Sequence, residues 1–138
     1  INLKGTIKVT EKYAFQDNIK SVLFVSSSSG NTGAEFPEYA ASKGGVIAYM
    51  KNVALRIAKY QATSNSISPG GVITDLNDHI LKNENLYEAV LNETLLHRWS
   101  DVEEMAKWAF FLTVINKSMT AQDILIDNGE AAKSNFIW

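Results

Sequence analysis

The chain has 138 residues, 46% of them apolar, which is long enough for one domain with a real core and too short for two of ordinary size. Its 13 basic and 15 acidic residues are spread along the chain for a net charge of −2, so no cationic stripe exists to neutralise a phosphate backbone and nucleic acid is not an expected partner. No cysteine is present, which excludes disulfides and thiolate metal sites and is compatible with a reducing, cytoplasmic compartment.

The longest apolar stretch, Trp108 to Ile115, falls far short of the ~20 residues that span a bilayer, so a soluble chain with no membrane partner is expected. Residues 1–6 show neither a signal peptide nor an initiator methionine and read as a helix entered partway; the natural start is expected elsewhere. Leu3, Ile7, Val9, Tyr13 and Ala14 continue that helical spacing. Ser21 to Val25 is short, apolar and closed by polar residues, the pattern of a buried parallel strand. The run Ser26-Ser27-Ser28-Ser29-Gly30 therefore sits at a strand's carboxyl end, and a loop from Gly30 to Gly33 follows.

Pro37 marks the start of a long helix from about Glu38 to Tyr60. Val46, Met50, Val53 and Ile57 form one apolar stripe on it. Near its start, Tyr39 and Lys43 stand at positions i and i+4, neighbours on one helix face. A phenol ordinarily near ~10 is a poor base at neutral pH unless a cation favours its phenolate. Lowering it by ~3 units takes about 4 kcal/mol, roughly what a unit charge ~4 Å away supplies at an effective dielectric of ~20. On its own the pattern is more often an amphipathic helix showing a ring and a charge.

Ser64 to Ser68 is a second strand, ended by Pro69-Gly70-Gly71, which cannot continue a ladder. Residues 76–97 hold two short amphipathic helices. Asp75, Asn77, Asp78 and His79 read as helix caps, not metal ligands, because no second cluster offers further ligands; no metal is expected. Ser100-Asp-Val-Glu103 reads as a capping box opening a helix to about Val114, and Gln122 to Asp127 is the last strand. Strand, helix, strand, helix, strand is the order of a doubly wound α/β sheet.

With these elements placed, the chain resembles the short-chain dehydrogenase/reductase family, in particular its single-domain branch that includes the 3-oxoacyl-carrier-protein reductases. VSSSSGNTG is similar to the family's strand-ending serine motif, YAASKGG to its tyrosine–lysine motif, and NSISPGGVITDL to its asparagine-containing strand and Pro-Gly turn. RWSDVEEMA and AQDILIDNG resemble its closing helix and strand. The family's Gly-rich phosphate turn, the specificity residue after its second strand and its Asn-Asn-Ala-Gly motif have no counterpart here. Residues 1–138 are thus expected to be the C-terminal half of one Rossmann-like domain. The family's usual Thr-Gly-Gln reads Thr120-Ala121-Gln122, and its Asp-Gly-Gly reads Asp127-Asn128-Gly129.

The resemblance implies hydride transfer between NAD or NADP and a small carbonyl/alcohol substrate. Tyr39 would exchange the proton on the substrate oxygen, Lys43 would favour the phenolate and bond the nicotinamide ribose, and Ser27 would polarise the same oxygen. Ser26 and Ser28 stay open as alternatives to Ser27, since the interval from Ser27 to Tyr39 is one residue shorter than commonly seen. Asn2 would fix a water of the proton relay. Pro69 and Gly70 would bend the chain so that the backbone near Val72 and the hydroxyl of Thr74 meet the nicotinamide amide. The Leu76/Ile80/Leu81 and Leu86/Val90/Leu91 faces would line a substrate lid, and helices over 1–16 and 38–60 would pair in a homodimer or homotetramer. Two other readings compete: a truncated, non-catalytic fragment or assembly partner, and a nucleotide-sugar epimerase or dehydratase relative. The position of DILIDNG close to the carboxyl terminus speaks against the latter.

Overall fold

The computed structural model describes residues 2–34 and 36–133; Ile1, Glu35 and residues 134–138, the last five within the predicted 1–138 unit, lie outside the described residues. Helix α1 (Asn2–Tyr13) leads into strand β1 (Ser21–Val25), a one-turn helix α2 (Ser28–Thr32), and the long helix α3 (Pro37–Ile57), which tightens into a 3-10 turn at Ala58–Tyr60. Strand β2 (Thr63–Pro69) follows, then α4 (Asp78–Leu81), α5 (Glu84–Leu91), α6 (Val102–Phe110) running into a π-helical turn at Phe111–Ile115, and strand β3 (Asp123–Ile126). The strands form one parallel sheet in the order β1-β2-β3, with Ser21 opposite Thr63 and Ser66 opposite Asp123. This is the α/β, Rossmann-like arrangement expected, with helices on both faces.

Alternation along a strand sorts the two faces. Val22 and Phe24 point toward α3, where Phe24, Val46, Met50, Val53, Ile57 and Ala62 form the core. Met50, Val53 and Ile57 are wholly buried, so the predicted stripe is the face that meets the sheet, each side chain contributing about 1.5–3 kcal/mol by burial. On the opposite face the Ser21 hydroxyl donates to the carbonyl of buried Leu112 at 3.4 Å, which places the π-helical turn there. Glu11 of α1 accepts from Tyr49 at 2.7 Å and from both terminal nitrogens of Arg56 at 2.5 and 2.8 Å, locking α1 to α3. The Arg56 guanidinium holds the Glu11 carboxyl down at about 2, helped by the Tyr49 bond. Burial, then the same carboxylate, pushes Tyr49 up to about 12.

Local expectations shift, and β1 is half-buried where a buried strand was expected. Half of the serine run is helical, because the Ser27 hydroxyl caps the first turn of α2 and Gly33, at φ +74°, closes it in the left-handed conformation glycine favours. The capping box falls one residue later than expected, at Asp101 and Glu104. Ser100 is extended and paired: its N–H donates to Gly71 and its carbonyl accepts from Ile73. The residue after it is therefore the first free to cap.

Candidate active site

The site assembles where β1 and β2 end. The Ser26 N–H extends the ladder to the Ile67 carbonyl at 2.8 Å, and its hydroxyl turns back to donate to the Lys43 carbonyl at 2.8 Å. Ser27 is extended, and its hydroxyl accepts from the Ser29 N–H and donates to the Ser29 hydroxyl, both at 3.3 Å. Of these two, Ser26 is committed to the backbone by a short bond while Ser27 holds only long ones, leaving its hydroxyl the easier to redirect. Ser28 is buried inside α2.

Helix α2 is seated on the turn of α3 that carries the lysine. A Cβ on Gly30 would fall 2.8 Å from the Lys43 carbonyl carbon and 2.9 Å from the Gly44 nitrogen, so only glycine allows this approach. Pro37 takes the first position of α3, where its missing N–H costs no bond, and one turn further the Lys43 Nζ stands 5.6 Å from the Tyr39 ring centroid. That is within the range of a cation–π contact. Both residues are half-buried. Lys43 donates to the Val25 carbonyl at 3.1 Å, and burial lowers its pKa below the ordinary lysine value. Asn2 opens α1, exposed, its carbonyl accepting from the Thr6 hydroxyl at 2.8 Å. A Cβ on Gly45 would meet the neighbouring Leu3 side chain at 2.7 Å, so the start of α1 lies against α3 two residues beyond Lys43.

The second strand end supplies a different kind of group. Pro69, expected to stop the ladder, is instead the last residue of β2, opposite Ile126, and the ladder runs one bond further because the Gly70 N–H donates to the Ile126 carbonyl at 2.9 Å. Beyond it Val72 pairs with Ser100 in an isolated parallel bridge. The bonds to Ser100 come from Gly71 and Ile73, so the amide and carbonyl of Val72 itself point the other way. The carbonyl accepts from the Asn77 side chain at 2.7 Å, which also reaches the Thr74 hydroxyl at 3.4 Å. Tyr39, Lys43 and Ser27 thus gather at β1, and Pro69, Gly70, Val72 and Thr74 at β2.

Sequence reasoning missed the groups that hold this second turn. Trp99 lies on Gly71, where a Cβ would fall 2.2 Å from two indole atoms, and it meets Tyr87 edge-on at 6.1 Å. Asn128 donates to the Ser100 hydroxyl at 3.0 Å. Asn77, read as a helix cap, makes no capping bond through its side chain and ties the Val72 turn instead. The bare backbone of Gly71 was the one available signal, and it names no partner.

Asp78 pairs with Lys82, and exposed His97 stands 3.2 Å from Glu88. Among the described residues no group of three or more His, Asp or Glu side chains is placed to hold a metal, and no helix is long and apolar enough to cross a membrane. A cleft of 590 Å³ runs between α1 and β1, lined by Gly5, Val9, Tyr13 and Val22 among others, apart from Tyr39 and Lys43. In the segment expected to form a substrate lid, Leu76 is 88% exposed.

A family model described as enoyl-(acyl carrier protein) reductase matches residues 1–130. A 3-oxoacyl-acyl-carrier-protein reductase from Thermotoga maritima is 34% identical over 94% of this chain and 54% of its own length. An L-rhamnose 1-dehydrogenase (NADP(+)) from Thermoplasma acidophilum is 28% identical over 94% of this chain and 53% of its own. The solved structure of a gluconate 5-dehydrogenase from Burkholderia cenocepacia, in complex with NADP and tartrate, superposes with a TM-score of 0.85 over 97% of this chain and 55% of that one. At 23% identity it speaks for the fold alone. The chain spans about half the length of the curated relatives it matches.

Proposed function

The chain belongs to the short-chain dehydrogenase/reductase family, and on that footing we propose that the protein transfers hydride between a nicotinamide cofactor and a small carbonyl/alcohol substrate, with Tyr39 as the general acid/base. The observation that carries this reading is the seating of Lys43 beside the Tyr39 ring, half-buried, against a serine turn at the end of a parallel strand. NAD or NADP is the cofactor, and the relative named L-rhamnose 1-dehydrogenase (NADP(+)) favours the latter.

The residues present fit the nicotinamide end of such a group. The Val72 backbone faces away from the bridge that fixes it, the Thr74 hydroxyl lies beside it, and Lys43 has ammonium donors beyond the one given to Val25. Pro69 and Gly70 bring the chain off the sheet at that point. When bound, the cofactor supplies hydride to the carbonyl carbon or takes it back. Tyr39 gives the proton to the substrate oxygen in reduction and removes it in oxidation. Lys43 favours the phenolate that results, because an ammonium next to a phenol stabilises its charged form. Ser27 donates a hydrogen bond to the same oxygen as charge develops there. Asn2, at the start of α1 beside the Lys43 turn, holds the water through which the proton is replaced.

Oxidation of reduced cofactor with a panel of ketones, comparing Tyr39→Phe with the parent, tests the assignment. Loss of about 10²- to 10⁴-fold in turnover is expected, and equal rates would remove Tyr39 from the mechanism. Assembly as a homodimer or homotetramer through α1 and α3 is part of the proposal, supported by Leu55 standing 79% exposed on α3. A monomer by light scattering would count against it.

A further inference from the structure

We propose that Asp123 is a positioning residue for the serine turn, acting through Asn31 to hold α2, and with it the Ser27 hydroxyl, in place over the sheet. The proposal rests on the reductase reading for its functional half only. Asp123 opens β3 opposite Ser66. Its Oδ1 accepts from the hydroxyls of Ser66 and Ser68, and its Oδ2 accepts from Ser68 at 2.9 Å and from the Asn31 amide at 2.9 Å. Both serines are wholly buried, so the carboxylate is fixed from beneath by the middle strand while it reaches up to α2.

Nothing in the hydride-transfer scheme uses this cluster. Yet α2 is a single turn, too short to persist on its own hydrogen bonds, and its position must come from outside. Two seats supply it: the contact of Gly30 with the Lys43 backbone, and the Asn31 bond to Asp123. The first ties the serine turn to the helix that carries Tyr39 and Lys43, and the second ties it to the sheet. Ser27 is the N-cap of α2, so a tilt of that turn moves its hydroxyl directly.

Asn31 is exposed, so Asn31→Ala removes the tether without opening a buried site. In the polypeptide as its gene encodes it, amide exchange at Thr32 and Gly33 should quicken about tenfold while β2 amides stay unchanged. Turnover of the best ketone of the panel should fall about tenfold, with KM for ketone and cofactor within about twofold of the parent. In a Ser27→Ala background the same substitution should cost nothing more, because the hydroxyl it positions is gone. Asn31→Asp, of equal size, sets a carboxylate against a carboxylate and should exceed Asn31→Ala in every readout.

Unchanged exchange at Gly33 overturns the tether. Faster exchange with parental turnover, or an equal loss in the Ser27→Ala background, overturns the positioning role. Full turnover by Tyr39→Phe would sink the reductase reading instead, and exchange would still decide the tether.

Discussion

Replacing Gly30 by alanine tests how the site is held together. The added Cβ would stand 2.8 Å from the Lys43 carbonyl carbon, 2.9 Å from the Gly44 nitrogen and 3.0 Å from the Lys43 Cβ, where ordinary contact begins at 3.4 Å. All three atoms belong to or adjoin the backbone of a helix anchored in the core, so none can rotate aside. Helix α2 must rise by about 0.6 Å, and overpacking of this kind costs about 1–3 kcal/mol. Alanine's better helix propensity returns about 0.5–1 kcal/mol, leaving a net loss of up to roughly 2.5 kcal/mol. Because misplacement by ~1 Å can cost ~10²-fold in rate, a rise of this size should lower turnover about tenfold while cofactor affinity holds. Thermal denaturation and ketone-dependent oxidation of reduced cofactor measure the two effects. A variant with the parent's midpoint and turnover would refute the seating of α2 on the Lys43 backbone.

At Glu11 the folded pKa is about 2 against an ordinary 4.5, so the carboxylate stabilises the fold fully above about pH 4.5 and loses that effect as pH falls toward 2. Glu11→Gln should therefore flatten part of the acid-side decline of the melting midpoint; Glu104, held at about 2 by Arg98, accounts for a further part, and an unchanged slope would contradict the Glu11 assignment. Ala121 stands at φ +60°, where a Cβ costs about 1–2 kcal/mol, while glycine gives back about 0.4–1 kcal/mol through the unfolded chain. Ala121→Gly should raise stability by up to roughly 1.6 kcal/mol in chemical denaturation, and a lowered midpoint would show that the turn carries no strain. Gly71→Ala would drive a Cβ into the Trp99 indole, 2.2 Å away, and should weaken reduced-cofactor binding at least tenfold in a titration; parental affinity would detach Trp99 from the Val72 turn.

What could be read from the sequence were features whose physics is local or periodic. The stripe Val46, Met50, Val53, Ile57 and the pair Tyr39/Lys43 follow helical spacing, and β1 shows its strand type as an unbroken apolar run, although only Phe24 of it is buried and Val25 is 57% exposed. The departure at Ala121 was visible as a missing glycine, though only the positive φ gives it a cost. The cap at Asp101 was placed one residue early, because Ser100 is a competent cap by type and only its pairing with Gly71 and Ile73 removes it from that role. Asn31, Asp123, Trp99 and Asn128 act on residues far along the chain, 92 positions away for Asn31 and Asp123, and no pattern within an element announces such a bond.

Strand β2 shows why the polar part of the site was hardest to foresee. Buried parallel strands usually read as hydrocarbon, yet this one runs Thr-Ser-Asn-Ser-Ile-Ser-Pro with six of its seven residues buried. A buried hydroxyl or amide without a partner costs about 1–3 kcal/mol, so each must be matched, and the partners lie outside the strand. Ser64 donates to the Met50 carbonyl of α3 at 3.0 Å. Asn65 donates to Met119 and accepts from the Gln122 N–H, gripping the turn before β3. Ser66 and Ser68 converge on Asp123, which passes the connection to α2. Hydrocarbon in these positions would bury more apolar area but would leave the neighbouring elements free to slide, since dispersion is non-directional. The strand is polar because what it meets is backbone and carboxylate, and those directional bonds fix the elements from which Ser27, Lys43 and Tyr39 project.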